Sequence, residues 1–374
     1  MPAAVTFALP MKIVNERNQS KPVAVWLLAG VFLIIVQIIL GGITRLTDSG
    51  LSITEWQPIL GTIPPTSHAE WQKAFDEYKQ IAQFKHLHSY FTLEDFKSIY
   101  FWEWFHRVWG RLIGVVFLIP FIIFLFTKSF SKEMVKPLLI LFLLGGLQGL
   151  IGWIMVQSGL NDENLYVSHI RLAIHFIVAL VLLVYTFWFA LQLLIQPNQQ
   201  FENTSAKNFL LILIGLLVLQ LVYGAFMAGL RAATSAPTWP SINGQYFPDL
   251  RGGYTGRKES FASSLVNNPI AVHFIHRNLA YIISVLIIVW TFLLKSAKGG
   301  KLFLWGKWLP FVLVLLQVLL GIFAVLTSPT KVPQKWGQFE WFALLHQFVA
   351  MLLLLSLVFS FYLMQRKTSL NFLT

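Results

Sequence analysis

The stretch "FWEWFHRVWGRLIG" (residues 101–114) sets Glu103, His106, Arg107 and Arg111 at the head of an apolar run that continues to residue 126. Runs of this kind, about 20 residues each and long enough to cross a ~30 Å hydrocarbon core as a helix, recur along the chain. They cover 23–43, 102–126, 137–157, 170–195, 208–230, 270–294, 308–327 and 341–364. The whole chain of 374 residues is 56% hydrophobic and 12% charged, with a mean hydropathy of +0.66. That is too apolar for a soluble domain of this length. The expected fold is an all-α integral membrane protein with eight transmembrane helices. The stretch quoted then poses a problem, because ionisable side chains within a span are costly unless they have a partner or a function.

Several classes fall away on composition. The chain has no cysteine, which excludes disulfides, haem-thiolate ligation, iron–sulfur clusters and covalent c-type haem. The N-terminus shows neither a cleavable signal pattern nor an organelle presequence, so the first span is expected to serve as its own insertion signal. The net charge of +12 invites a nucleic-acid reading, but the lysines cluster in short loops. Lys128, Lys132 and Lys136 lie between spans two and three, and Lys295, Lys298, Lys301 and Lys307 between spans six and seven. The loop 158–168 instead carries Asp162 and Glu163 and no Lys or Arg. The positive-inside rule then puts both termini, 1–22 and 365–374, in the cytoplasm. The expected surroundings are lipid bilayer, with no nucleic-acid partner.

The sequence repeats itself. Loops 44–101 and 231–269 are long, whereas 158–169 and 328–340 are short. Gln37 and Gly41 match Gln220 and Gly224. "EWQPILGTIPP" (55–65) loosely matches "TWPSINGQYFP" (238–248), and "LQGLIG" (147–152) matches "LQVLLG" (316–321). His106-Arg107 matches His276-Arg277, and His175 matches His346. The offsets are 170 for His106, 169 for Gln148 and 171 for His175. Internal duplication is a common way to build membrane bundles. We therefore expect two pseudo-symmetric four-helix bundles, 23–195 and 208–364, in parallel topology, joined by a cytoplasmic linker at 196–207.

Nine histidines are present. His68, His86 and His88 read as solvated loop residues. His106, His175, His276 and His346 occupy equivalent places near the outer ends of spans two, four, six and eight. Two imidazoles from two helices of a bundle can clamp a planar metallomacrocycle from opposite faces. Zinc would want a third or fourth donor nearby, and no His-x₃-His or Cys pair offers one. The pattern points to two haem sites, one per half. Gly110 and Gly114, like Gly145 and Gly149, have the spacing that lets helices approach and could equally admit a flat macrocycle. Gln37, Gln148, Gln220 and Gln317 read as interhelical hydrogen-bonding groups. His169 reads as interfacial.

The halves differ at one position. Glu103 is replaced by His273 in the second copy, giving Glu-x-x-His-Arg against His-x-x-His-Arg. Glu103 shares a helix face with His106 and is also spaced to pair with Arg107. It is either a salt-bridge partner or an acid–base or charge-stabilising group at a reacting substrate. Arg107, Arg111 and Arg277 can contact haem propionates or snorkel to headgroups. The asymmetry suggests that one half carries electrons and the other does chemistry.

"GGITRLTDSGLSITEWQPILGTIPP" (41–65), "EWFHRVWGRLIG" (103–114), "RLAIHF" (171–176), "FIHRNLA" (274–280) and "LLHQ" (344–347) resemble the haem A synthase family, in its cysteine-free branch found in mitochondria and many bacteria. The segment 228–248 departs from the family pattern, which usually has more glycine and a Tyr-Asn before Thr-Trp-Pro. The resemblance implies an oxidoreductase that converts a ring methyl of haem O to a formyl group with water-derived oxygen, giving haem A for terminal oxidases. It implies a resident haem b on His276 and His346, substrate haem on His106 and His175, and Glu103 at the reacting methyl. A handover from a haem O synthase farnesyltransferase and an electron acceptor are implied as partners. The residues alone also allow a di-haem electron carrier or, less economically, a transporter.

Overall fold

The computed structural model describes residues 17–56, 60–129, 132–251, 260–297, 299–332 and 335–365. The N-terminal segment before Arg17 and the tail after Gln365 lie outside the described residues, as do parts of both long loops. Eight helices are long and apolar enough to cross a membrane. They are α1 (Arg17–Leu46), α2 (Leu93–Phe126), α3 (Lys132–Gln157), α4 (His169–Leu194), α5 (Thr204–Gly229), α6 (Pro269–Leu293), α7 (Leu309–Thr327) and α8 (Gln338–Leu363). Among the described residues there is no β-strand, only an isolated bridge between Ile242 and Gln245. The all-helical, eight-span expectation holds.

Local signals set the helix starts. Thr92 and Asp95 form a reciprocal cap at α2: the Asp95 amide donates to Thr92 Oγ1 (3.3 Å), and the Thr92 amide donates to Asp95 Oδ2 (2.8 Å). Asn268 accepts from the first amides of α6, and Pro269 occupies its first turn, where no amide is needed. Glu340 reaches back to the Gly337 amide (2.9 Å) at the start of α8.

α2 begins well before the apolar run does. Its first two turns leave the spanning region, because Phe96 and Ile99 are needed elsewhere. Both are buried in a second small core with Leu51, Phe75, Tyr78, Ile81 and Phe91. This core forms a helical cap over one end of the bundle, built on the short helix His68–Tyr78. Phe96 is central to it, with ring centroids 5.1 Å from Phe75 and 5.3 Å from Tyr78. His68 and His86 are exposed, as the sequence suggests, but His88 is not. It is 5% exposed, lies 2.6 Å from the Tyr78 hydroxyl and stacks on Phe91. This corrects the expectation of a solvated loop residue: tertiary packing of aromatics outside the bilayer buries it.

Helix contacts run in two circuits, α1–α2–α3–α4 and α5–α6–α7–α8, which meet through α1–α8, α4–α5 and α4–α8. This is consistent with two pseudo-symmetric bundles. The seam helices α1, α4, α5 and α8 are the most buried, and α2 is the least. Beyond the last turns of α1 and α5, Asp48 and Arg231 both adopt left-handed backbone (φ 56° and 53°). Their side chains pair with each other, and Lys331 donates to the other Asp48 oxygen (3.3 Å). Arg45 donates to the Ala228 carbonyl, and Arg231 lies 3.8 Å from the centre of the Tyr166 ring. Gln347 of α8 donates to the Ile38 carbonyl of α1 (2.8 Å).

Two measurements test the cap. Phe96→Ala should destabilise it by about 3–5 kcal/mol, seen as faster hydrogen exchange across residues 67–100. Burial lowers the His88 pKa from 6.5 to about 4, so the unfolded cap binds the extra proton between those values. Cap stability should therefore be full above about pH 6.5 and fall as pH drops towards 4. The same exchange experiment, run as a pH series, checks this.

Candidate functional site

The four repeat-related histidines are built by one local device. Each lies on an even-numbered helix and faces a Gln-x₃-Gly segment on the helix before it. A spacing of four puts the glutamine and glycine on one helix face. Gln37 Nε2 lies 3.2 Å from His106 Nε2 and donates to the His106 carbonyl (3.1 Å). Gln148 Nε2 lies 3.1 Å from His175 Nδ1 and donates to the His175 carbonyl (2.9 Å). Gln220 and Gln317 approach Nε2 of His276 and His346 at 3.4 and 3.2 Å. The glycine one turn on leaves room for the ring. A Cβ at Gly152 or Gly321 would stand 2.8 Å from Cε1 of His175 or His346; at Gly41 and Gly224 the distances are 3.2 and 3.4 Å. The interhelical bonds expected of the four glutamines are made, and made to the imidazoles. The sequence carried this signal as a fourfold Gln-x₃-Gly, each copy one span ahead of a histidine.

All four imidazoles line one cavity of about 1120 Å³, above the ~300–1,000 Å³ of ordinary small-molecule pockets. The donor set can be tested against a bound metallomacrocycle. His276 and His346 have ring centroids 6.3 Å apart, which leaves space between them for one metal with bonds of about 2 Å to each nitrogen. His346 Nδ1–H donates to the Gln317 carbonyl (3.0 Å), the orientation that a second hydrogen bond gives a metal-binding imidazole. Oε1 of all four glutamines, and Nδ1 of His106 and His276, are buried without a hydrogen-bond partner. Such atoms mark a place built for something further. Among the described residues no group of three or more His, Cys, Asp or Glu could hold a metal ion, which disfavours a zinc site. Paired imidazoles without a third donor fit a haem.

Glu103 is 3% exposed and fully engaged. Its Oε2 accepts from Ser52 Oγ (2.7 Å) and the Ile53 amide (2.9 Å), and its Oε1 from Arg107 Nη2 (2.6 Å). The salt bridge is present, and the carboxylate also lines the cavity beside His106. Ser52 and the Ile53 amide were not legible from sequence, because they approach through the long loop. In the second half His273, 1% exposed, takes the same place, and Arg277 Nη2 donates to its Nε2 (2.8 Å).

Arg107 and Arg277 each hold a long loop over the cavity. Arg107 donates to the carbonyls of Ile53 (3.0 Å) and Glu55 (3.1 Å). Arg277 donates to those of Thr238 (2.8 Å), Pro240 (2.9 Å) and Ser241 (2.9 Å). The loose match of the two loop sequences thus reflects a shared attachment. Trp56 stacks on Trp153 (5.4 Å) beside Arg107. Arg111 lines the cavity one turn deeper. Gly114, Gly145 and Gly149 face open space; they do not bring helices together. His169 packs edge-on against Phe226 of α5 (5.6 Å), in the seam between the halves.

Eight spans around a cavity lined by paired imidazoles define a polytopic membrane protein with room for a tetrapyrrole between its helices. A family model described as cytochrome oxidase assembly protein matches residues 24–358, and the chain belongs to this family, that of the haem A synthases. A "Heme A synthase" of Flavobacterium psychrophilum is 38% identical over 340 residues, spanning 90% of this chain and 96% of the relative. One of Azorhizobium caulinodans is 40% identical over 340 residues, spanning 91% and 93%. One of Pelagibacter ubique is 38% identical over 319 residues, spanning 84% and 91%.

The glycine contacts predict a graded outcome. Gly152→Ala and Gly321→Ala should each cost about 1–3 kcal/mol by overpacking the imidazole. Gly114→Ala should be neutral or stabilising by up to ~1 kcal/mol. Thermal unfolding of the three purified variants would show the order.

Proposed function

We propose that this protein is a haem A synthase, which oxidises a ring methyl of haem O to a formyl group. The observation that carries this reading is a duplicated di-imidazole site in which only one copy has a carboxylate at the cavity wall. His106 and His175, in the half with Glu103, take the substrate haem. His276 and His346 hold a haem b. When bound, that group supplies one-electron redox capacity beside the substrate. The two halves correspond to residues 23–195 and 208–364, with both termini cytoplasmic and the haem sites near the outer face of the membrane.

The overall change converts a methyl and one water to an aldehyde, releasing four electrons and four protons. Two successive oxidations would yield a hydrate that loses water. Positive charge develops at the methyl carbon as electrons leave, and water must lose a proton as its oxygen bonds to that carbon. Glu103 is suited to both needs. Ser52, Ile53 and Arg107 fix its carboxylate in place, and a preorganised anion stabilises developing positive charge without reorganising. A carboxylate within reach of the incoming water also accepts its proton. Arg107 contributes twice, orienting Glu103 and fastening the loop that screens the site from water. It carries five N–H donors, so those not spent on Glu103 and the loop can meet a propionate. Arg277 spends its Nη1 and Nη2 on three loop carbonyls and His273, and acts mainly by position. The electrons pass to an acceptor, and haem O arrives from its own synthase.

A permanent di-haem carrier is less well supported, because it gives no use to a carboxylate in one copy alone. Mass spectrometry of extracted pigment separates the two. Wild type should yield haem b with O- or A-type haem, whereas a carrier yields haem b alone. His346→Ala should lose haem b; His106→Ala should keep it and make no haem A. Glu103→Gln should fold, keep haem b and slow haem A formation about 10²–10⁴-fold. A normal rate in that variant would leave Glu103 as the salt-bridge partner of Arg107 and nothing more.

A further inference from the structure

The two halves differ in a second way, which the reaction above does not use. In the first half α2 and α3 flank a slot below the level of His106 and His175. The register of these antiparallel helices is fixed at two heights. Arg107 lies against Trp153 near the loop end, 6.0 Å from its ring centre, and Phe117 stacks on Phe142 (5.8 Å) at the other. Between these contacts Gly110 falls level with Gly149, and Gly114 with Gly145. All four glycines, and Gly146, are exposed and line the cavity. A Cβ at Gly114, Gly145, Gly146 or Gly149 would meet nothing within 4 Å. At 1.5 Å per residue the slot runs about 10–12 Å down α2 before the Phe117–Phe142 pair closes it.

The second half fills the same place. The repeat offsets carry Gly110 and Gly114 to Ala280 and Ser284, and Gly145, Gly146 and Gly149 to Val314, Leu315 and Val318. Val314 is 2% exposed, Ala280, Ser284 and Val318 are half-buried, and Leu315 alone of the five is exposed. The helices follow suit. α2 and α3 touch more sparsely than α6 and α7, and 6% of the most apolar window of α2 is buried against 28% for α6. Four of these five glycines, all but Gly110, cost helix stability with no close packing in return. Deep in the same cavity, Nδ1 of His106 and Oε1 of Gln37 are buried without partners.

We propose that the α2–α3 slot is a lateral portal that receives the isoprenoid chain of the substrate haem, with the chain leaving the cavity between the glycines into lipid. This rests on the first half being the substrate site. Haem O differs from haem b in carrying a long apolar chain on the ring. A ring clamped by His106 and His175 must put that chain somewhere, and water at the cap end is the worst choice. Apart from Arg111 at its upper edge the slot is apolar; it lies between two spanning helices, below the imidazoles. It is also a route by which a membrane-dissolved substrate can enter and its product leave without unlocking the cap. The second half, whose seam is filled by valines, retains a group that has no such chain and need not exchange.

The test is binding of haem O and of haem b to the full chain in lipid nanodiscs, read from the absorbance component that His106→Ala abolishes. Wild type should bind haem O more tightly than haem b at this site. Gly114→Leu/Gly145→Leu should weaken haem O at least tenfold and leave haem b unchanged. Unchanged haem O affinity in the double variant overturns the portal while leaving the substrate site intact. No His106-dependent haem O binding in wild type overturns the substrate site and the portal with it. A second measurement needs no variant: haem O bearing a diazirine at the chain end should label residues 110–117 and 142–149. Label confined to α1, α4 or the second half would refute the proposal.

Discussion

A polar group buried in a membrane span has no water to fall back on, so it must find a partner within the protein. The four Gln–His contacts answer this constraint, and the rest of the site is arranged around them. An imidazole alone at this depth would be costly. A glutamine from the preceding helix shares that cost, and in the first half it also ties the two backbones through the histidine carbonyl. The glycine one turn on then becomes obligatory, because the ring fills the volume its side chain would take. Each hairpin is thus locked by the imidazole that the proposed function assigns to haem binding. Packing and ligand positioning are one structure here, not two.

The duplication explains what is shared, and the departures from it explain what is done. In both halves an arginine one residue after the second-helix histidine pulls a long loop down over the cavity. In both, the residue three before that histidine is buried against the arginine. The identity of that residue is what changes. A carboxylate in the first half and an imidazole in the second leave the scaffold intact and alter only the charge facing the cavity. The glycines of α2 and α3 make a parallel change in shape, confined to the same half as the carboxylate.

Much of this was legible in the chain. Eight apolar runs gave the spans, because lipid admits few alternatives to the helix. Three concordant offsets gave the repeat, and matched histidines gave the site. What escaped came through loops and aromatic packing. Ser52 and the Ile53 amide reach Glu103 across some fifty residues of sequence, and no local period announces them. His88 sits among polar neighbours in the chain and among rings in space. The extension of α2 back to Leu93, ahead of its apolar run, escaped for the same reason, since Phe96 and Ile99 answer to the cap and not to the bilayer. The open faces of Gly114, Gly145 and Gly149 needed coordinates, because the same spacing elsewhere closes helices together.

The charged knot around Asp48 bears on how such a duplicated protein moves. Where repeats rock against each other about a midplane site, motion is the function. Here the end of one repeat is riveted to two segments of the other, and a carboxylate that is 17% exposed would be left without its counter-charges if they slid apart. The two halves are accordingly pinned to each other at this end of the bundle. Under the proposed function, a seam pinned in this way would keep the two haem sites at one distance through turnover.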